Sequence, residues 1–220
     1  MHKPPDPTVD QVLLNQRSYD AIASDWLQAR QVTSTWEQRY LNALTIDLKA
    51  GDIILDLGCG TGQPMTAWFI DQGLHVTGID QSTEMLALAR QTFPQARWLH
   101  QSLLELELAE NFNAIVLWDA LFHLPRSAHR LLLARVFDHL LPGGRLMLTS
   151  GGSADASFTD TMFEHRFFYD SLPPDTLQLL LQEIGFHIEV MDMIDLPTTE
   201  RDKGRIAIVA RTTRTDHEEI

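Results

Sequence analysis

The stretch Asp52-Ile53-Ile54-Leu55-Asp56-Leu57-Gly58-Cys59-Gly60-Thr61-Gly62 decides how the rest of the chain reads. A short apolar run is a buried strand, and glycines directly after it let the backbone turn sharply and approach a ligand. Pro64 then falls in the first turn of a helix predicted to run to about Gln72. Next, His75–Asp80 reads as a second strand ending on an acid. Asp80 stands roughly 20 residues beyond the first glycine, where a carboxylate accepts hydrogen bonds from a ribose diol. Strand, glycines, helix, strand and acid in that order describe a nucleotide site in the crevice of a doubly wound sheet. The bland alternative is a tight turn with a solvent-exposed Asp80.

Outward from this core the periodicity changes. Residues 1–10 hold three of the ten prolines and no apolar period, which predicts a flexible tail. Leu13, Leu14, Ile22, Trp26, Trp36, Tyr40, Leu44 and Leu48 recur near 3.6-residue spacing, with a break around Thr33-Ser34-Thr35. Two helices therefore precede the first strand. After the second strand, Ser82 caps a helix through Gln91, and Arg97–Leu99 and Asn113–Trp118 are strands. A helix is predicted over Ser127–Leu141, stopped by Pro142-Gly143-Gly144, before the strand Arg145–Thr149. Residues 151–171 read as an irregular, aromatic-rich insertion. A helix at Pro174–Ile184 and the strands Phe186–Met193 and Arg205–Arg211 follow, joined by a polar loop around Pro197–Lys203 into a terminal hairpin. Alternating strands and helices imply a parallel sheet covered on both faces, an α/β fold. The division expected is a tail at 1–10 and one domain at 11–220, with a helical lid at 11–48, a cofactor-binding half at 49–150 and a substrate-side insertion with terminal hairpin at 151–220.

Length and charge bound the function. At 220 residues roughly 70% of the unfolded surface can be buried, enough for one core without staples. The 17 Lys+Arg against 30 Asp+Glu give a net charge of −13, and the basic residues are scattered, so no nucleic-acid partner is expected. Cys59 is the only cysteine, which rules out an intrachain disulfide and two-cysteine zinc motifs and predicts a cytoplasmic setting. The opening residues lack the apolar core of a signal peptide, and no run of about 18 apolar residues occurs, so neither export nor a membrane is expected.

The loop itself narrows the ligand. A pyrophosphate-binding turn usually reads G-x-G-x-x-G, whereas this one is G-x-G-x-G with Gln63 next and Asp56 two residues before Gly58. A buried carboxylate there repels a pyrophosphate and suits an ammonium, so the ligand carries a ribose and a cation. At this point the sequence resembles the class I S-adenosylmethionine-dependent methyltransferases, through Leu55–Gly62, Gly78-Ile79-Asp80-Gln81-Ser82, Phe112–Trp118 and Leu141-Pro142-Gly143-Gly144. Tyr19–Trp26 resembles a helix that lids the cofactor in many members. The resemblance implies a seven-stranded sheet of order 3-2-1-4-5-7-6 with strand 7 antiparallel, and S-adenosylmethionine as cofactor. It places Gly58, Cys59 and Gly60 against the methionine and ribose, Asp56 near the ammonium, and Asp80 on the ribose hydroxyls. It also places Gln81, Met85 and Leu103 near the adenine, with Trp118 completing the site. Where the family commonly has an aspartate for the adenine amino group, this chain has His100-Gln101-Ser102, so Ser102 or Gln101 accepts there without the strength of a carboxylate.

Methyl transfer from a sulfonium is an in-line displacement that needs positioning and exclusion of water, and no metal. Asp119 and His123 follow the fourth strand and are the candidates for orienting an acceptor or taking its proton. Helix capping and packing are the structural alternatives for the two. Tyr19, Trp26 and Arg30 share a helix face and are candidates to close over the cofactor, with core packing as the alternative. The aromatics between Phe158 and Tyr169 are a candidate wall of an acceptor pocket, or core, or a dimer contact. A short-chain reductase needs Tyr-x-x-x-Lys, and the tyrosines at 19, 40 and 169 are followed four residues later by Ala23, Leu44 and Pro173. The function expected is methyl transfer to a small-molecule acceptor by a monomer or homodimer. The alternative is a degenerate cofactor-binding protein acting as a regulatory or interaction partner.

Overall fold

A computed structural model describes residues 7–152, 154–196 and 204–215. Helices α1 (Pro7–Ala29) and α2 (Thr35–Thr45) lead into β1 (Ile53–Leu57), α3 (Met65–Asp71), β2 (His75–Asp80), α4 (Thr83–Thr92), β3 (Arg97–His100) and β4 (Phe112–Leu117). Then come α5 (Arg126–Asp138), β5 (Leu140–Gly151), β6 (Phe158–Met162), β7 (His165–Tyr169), α6 (Pro174–Ile184), β8 (Phe186–Asp195) and β9 (Arg205–Thr212). Among the described residues, seven strands form one sheet in the order β3-β2-β1-β4-β5-β9-β8, and β9 runs antiparallel to both neighbours. With the separate β6–β7 hairpin set aside, β8 and β9 are the sixth and seventh strands, so the order is the one the resemblance implies. The loop 197–203 lies outside the described residues.

Both faces of the sheet are dry because successive strand residues point to opposite sides. Leu55 and Leu57 join Ile115, Leu117, Leu146 and Ile208 under α5 and α6, which contribute Leu133 and Leu181. On the other face Ile54, Val116, Met147 and Val209 pack beneath α2 and α3, through Tyr40, Leu41, Leu44 and Phe69. Asp56 belongs to this second face. Among the described residues no helix is long and apolar enough to cross a membrane.

Four expectations are corrected. Residues 7–10 are helical and not tail, because α1 begins at Pro7, whose missing N–H costs nothing in a first turn, and residues 1–6 lie outside the described residues. The 11–48 segment is not one lid. Tyr40, Leu41 and Leu44 of α2 are at most 3% exposed against the sheet, and burying each such side chain is worth about 1.5–3 kcal/mol, so α2 is a covering helix. Helix α5 stops at Asp138 rather than Leu141, and Pro142-Gly143-Gly144 lies inside β5. Those residues form an irregularity in which Phe112 pairs with Leu140 but Ala114 with Arg145. The aromatic insertion is ordered as the β6–β7 hairpin, turned by Phe163 and Glu164, both at positive φ (48° and 65°).

That hairpin is tied to α1. Asn15, wholly buried, donates through Nδ2 to the carbonyls of His123 and Phe168 (3.0 Å each) and accepts from the Phe168 N–H at 2.7 Å. Ser18 donates to the Arg166 carbonyl at 2.6 Å. Helix α1 also packs Ile22 and Ala23 against Met85 and Phe167. The outcome is a layer of helix and hairpin resting on the carboxyl edge of the sheet.

Candidate active site

Strand β1 lies between β2 and β4, where the strand order reverses, and a crevice opens beyond the carboxyl ends of strands at such a point. Here it is a cleft lined by residues at and beyond the ends of β1, β2 and β4 and by residues of α1. Its floor is Asp56, Gly58, Cys59 and Gly60 with Gln63 and Met65; one wall is Asp80, Gln81, Met85 and Leu103. The other wall is Trp118, Asp119, Ala120, His123 and Leu124, and α1 supplies Tyr19 and Trp26 as the roof.

The loop glycines have different reasons. Gly58, at φ 72°, packs so closely that a Cβ would lie 2.5 Å from the Ala120 Cβ, so it serves the fold. Gly60, at φ 53°, faces the cleft: a Cβ there would meet only Trp26 Nε1 at 3.7 Å and Met85 Sδ at 3.9 Å. Its N–H donates to Asp80 Oδ2 at 2.8 Å, while the Ser82 N–H donates to Asp80 Oδ1, also at 2.8 Å. Asp80 is therefore fixed by backbone N–H groups, with acceptor capacity left on the carboxylate. Burial raises its pKa, against the pull of the Ser82, Gly60 and Gln81 N–H groups. Asp56 accepts from the Thr66 hydroxyl through Oδ2 at 2.7 Å. Burial pushes Asp56 up to about 7, the Thr66 hydrogen bond opposing and the Asp80 charge adding to the rise. Burial likewise pushes the Cys59 thiol up, so it is no nucleophile.

At the opposite wall His123 is fully engaged. Its Nδ1 lies 3.0 Å from the Phe168 carbonyl, which can only accept, so that nitrogen carries the proton. Nε2 then accepts from the Tyr19 hydroxyl at 2.8 Å. Burial lowers the His123 pKa to about 4, opposed by the Phe168 carbonyl, and raises that of Tyr19. His123 is thus a neutral acceptor holding Tyr19. Phe167 and Tyr169 pack behind this pair, with ring centroids 4.9 Å from Tyr19 and His123 respectively, so the insertion's aromatics back the wall rather than line it.

Asp119 has φ 53°, uncommon for a residue with a Cβ and frequent at functional positions. Thr149 Oγ1 accepts from its N–H at 2.7 Å and donates to its Oδ1 at 3.1 Å, and Arg205 Nη1 donates to Oδ1 at 2.8 Å. Arg30 and Ser102 are not in the cleft. Arg30 pairs with Glu37 at 2.8 Å because it lies beyond the end of α1, and Asp119 is 4.0 Å away. The Ser102 hydroxyl caps its own short turn, accepting from the Leu104 N–H at 3.3 Å. Sequence reasoning missed Glu37, Arg205 and Gln63. Glu37 is 1% exposed and accepts from Trp118 Nε1 at 3.1 Å, fixing the indole that lines the cleft. Burial works against its carboxylate, but Arg30 and Ser34 outweigh that and hold its pKa below the usual value.

Residues 54–144 match a methyltransferase domain family. Over this stretch the chain is similar to S-adenosylmethionine-dependent methyltransferases. It is 31% identical over 161 residues to the trans-aconitate 2-methyltransferase of Azoarcus sp. (strain BH72), covering 63% of this chain and 62% of that one. Against the first relatives it matches, the chain spans between 38% and 62% of their length. A solved structure of the Burkholderia thailandensis 1,6-didemethyltoxoflavin-N1-methyltransferase, with bound 1,6-didemethyltoxoflavin and S-adenosylhomocysteine, superposes at TM-score 0.69 over 97% of this chain and 94% of that one. The cyclase SpnF superposes at 0.71 over 96% and 99%. At 21% and 18% identity these two share the fold.

Proposed function

We propose that the cleft binds S-adenosylmethionine and that the protein transfers its methyl group to a small-molecule acceptor. One observation carries the reading: a part-buried carboxylate, Asp80, is held by backbone N–H groups at a cleft that also contains the buried carboxylate of Asp56. That donor set suits a ligand with a vicinal diol and an ammonium. Asp80 would hold the ribose hydroxyls, Asp56 the ammonium, Gly58, Cys59 and Gly60 the central part, and Gln81, Met85 and Leu103 the adenine. Trp118 and the α1 residues Tyr19 and Trp26 would close the site. Bound, the cofactor supplies an electrophilic methyl on a sulfonium.

The chain's own part is positioning. Asp119, braced by Thr149 and Arg205, orients an acceptor through its O–H or N–H. Tyr19, whose proton is committed to His123 Nε2, offers the lone pairs of its hydroxyl on the neighbouring side. His123 positions Tyr19. The roof of α1 and the β6–β7 hairpin keeps water from the reacting atoms. A small acceptor agrees with the acidity of the chain, and the relatives named for trans-aconitate and a toxoflavin precursor act on such molecules.

Calorimetry with S-adenosylhomocysteine and with a nicotinamide dinucleotide tests the cofactor: binding of the first only is expected, and preference for the second overturns the reading. Asp80→Ala should weaken the binding about ten- to a hundredfold, the worth of roughly 1.5–3 kcal/mol for bonds to a charged acceptor. Release of S-adenosylhomocysteine in the presence of carboxylate, phenol and ring-nitrogen acceptors tests transfer. The fold also accommodates a cyclase, so binding without turnover on any acceptor favours the degenerate, partner-like reading.

A further inference from the structure

Buried polar atoms in folded proteins almost always have partners, and an exception calls for an explanation. Five buried side-chain atoms lack one among the described residues: Thr61 Oγ1, Gln63 Oε1, His129 Nδ1, Ser150 Oγ and Thr212 Oγ1. Of these residues Gln63 alone lines the cleft. A hydroxyl can turn toward a neighbour, whereas an amide oxygen only accepts, so Gln63 has room for a donor from outside the described residues.

A second acceptor lines the same cleft. Asp56 spends Oδ2 on the Thr66 hydroxyl, and Thr66 lies three residues beyond Gln63 in the first turn of α3. No partner is found for Asp56 Oδ1 among the described residues, and Asp56 lines the same cleft. One carbonyl oxygen and one carboxylate oxygen in the same cleft, both lacking donors among the described residues, ask for a cation with several N–H groups. A primary ammonium has three.

We propose that the Gln63 side-chain carbonyl, together with Asp56, binds the α-ammonium of the cofactor's amino-acid tail. This rests on reading the cleft as the S-adenosylmethionine site. It gives a reason for glutamine at the position after Gly62, where a dinucleotide turn carries no such requirement. It also divides the work between the two acceptors: Asp56 supplies charge, and Gln63 supplies a direction that no proton can cancel.

The test compares two ligands that differ only in the tail, S-adenosylhomocysteine and 5′-methylthioadenosine, by calorimetry on the wild type, Gln63→Met and Gln63→Glu. Methionine matches the shape and removes the acceptor, so it should weaken S-adenosylhomocysteine about ten- to a hundredfold and leave 5′-methylthioadenosine unchanged. Its thermal midpoint without ligand should not fall, since an unpaired buried oxygen has gone. Gln63→Glu keeps an acceptor and should restore most of the preference for the tailed ligand; this variant also decides the matter if Gln63→Met does not fold. Equal loss for both ligands, no loss for S-adenosylhomocysteine, or failure of Gln63→Glu to recover the preference overturns the assignment. A wild type that binds neither ligand overturns the cofactor reading itself.

Discussion

Replacing Asp56 by Asn tests whether a carboxyl is held at a cost for a cation. The substituted amide keeps the shape and can still accept from Thr66, but it cannot ionise. In the wild type burial lifts the Asp56 pKa from 3.8 to about 7. Between these values the folded protein retains a proton that the unfolded chain has released, so rising pH penalises the folded state through this window and the penalty levels off above about pH 7. With 1.36 kcal/mol per unit, the penalty is about 2 kcal/mol at pH 5 and about 4 kcal/mol at pH 8.5. Urea unfolding of both proteins at the two pH values cancels every other titrating group in the difference. The expected result is that the wild type loses about 2–3 kcal/mol relative to Asp56→Asn on going from pH 5 to pH 8.5. With S-adenosylhomocysteine present the order should reverse, because an ammonium beside the carboxylate favours its charged form. Parallel pH profiles, within about 0.5 kcal/mol, would refute the reasoning.

Three further outcomes are expected. His123 should stay neutral down to about pH 4, so its ring resonances should not titrate near 6.5, and stability should fall as pH drops from 6.5 toward 4, because the unfolded chain binds the proton first. In an assay with an identified acceptor, Tyr19→Phe should lower turnover about 10²-fold or more with cofactor affinity nearly kept; unchanged kinetics would take the Tyr19 hydroxyl out of the reaction. Gly58→Ala should destabilise the fold by at least about 2 kcal/mol, since its Cβ meets Ala120 at 2.5 Å, while Gly60→Ala should cost the fold only about 1–2 kcal/mol but abolish measurable calorimetric binding of S-adenosylhomocysteine.

How far the fold was legible follows from what makes a local signal. Helix α6 falls on Pro174–Ile184 as read, because Pro174 opens it and Gly185, at φ 117°, ends it left-handed. Strands β1 and β2 were legible for a similar reason: both are buried on two faces and end on glycine or acid. The β6–β7 hairpin gave no such mark. Its turn places Phe163 and Glu164 at positive φ, where glycine or asparagine would have announced it, and the strain is carried by tertiary contacts of Asn15 and Ser18. An amphipathic period likewise states that α2 buries a face and not against what, so a covering helix and a lid look alike before the sheet is seen.

At the site, the loop residues and Asp80 were legible because one turn gathers them, whereas everything set by a partner far along the chain was hidden. Arg205 reaches Asp119 across 86 positions, and Trp118 finds Glu37 across 81. His123 is the sharpest case. From sequence it is a histidine after a strand, with a pKa near neutrality available for proton transfer. In the fold, the Phe168 carbonyl fixes the proton on Nδ1, which makes Nε2 an acceptor, which in turn makes Tyr19 the donor. The group with lone pairs to spare in the cleft is then the tyrosine oxygen and not the imidazole. A residue whose type suggests a base is converted into a positioning group by two hydrogen bonds that only the packing of α1 and β7 could supply.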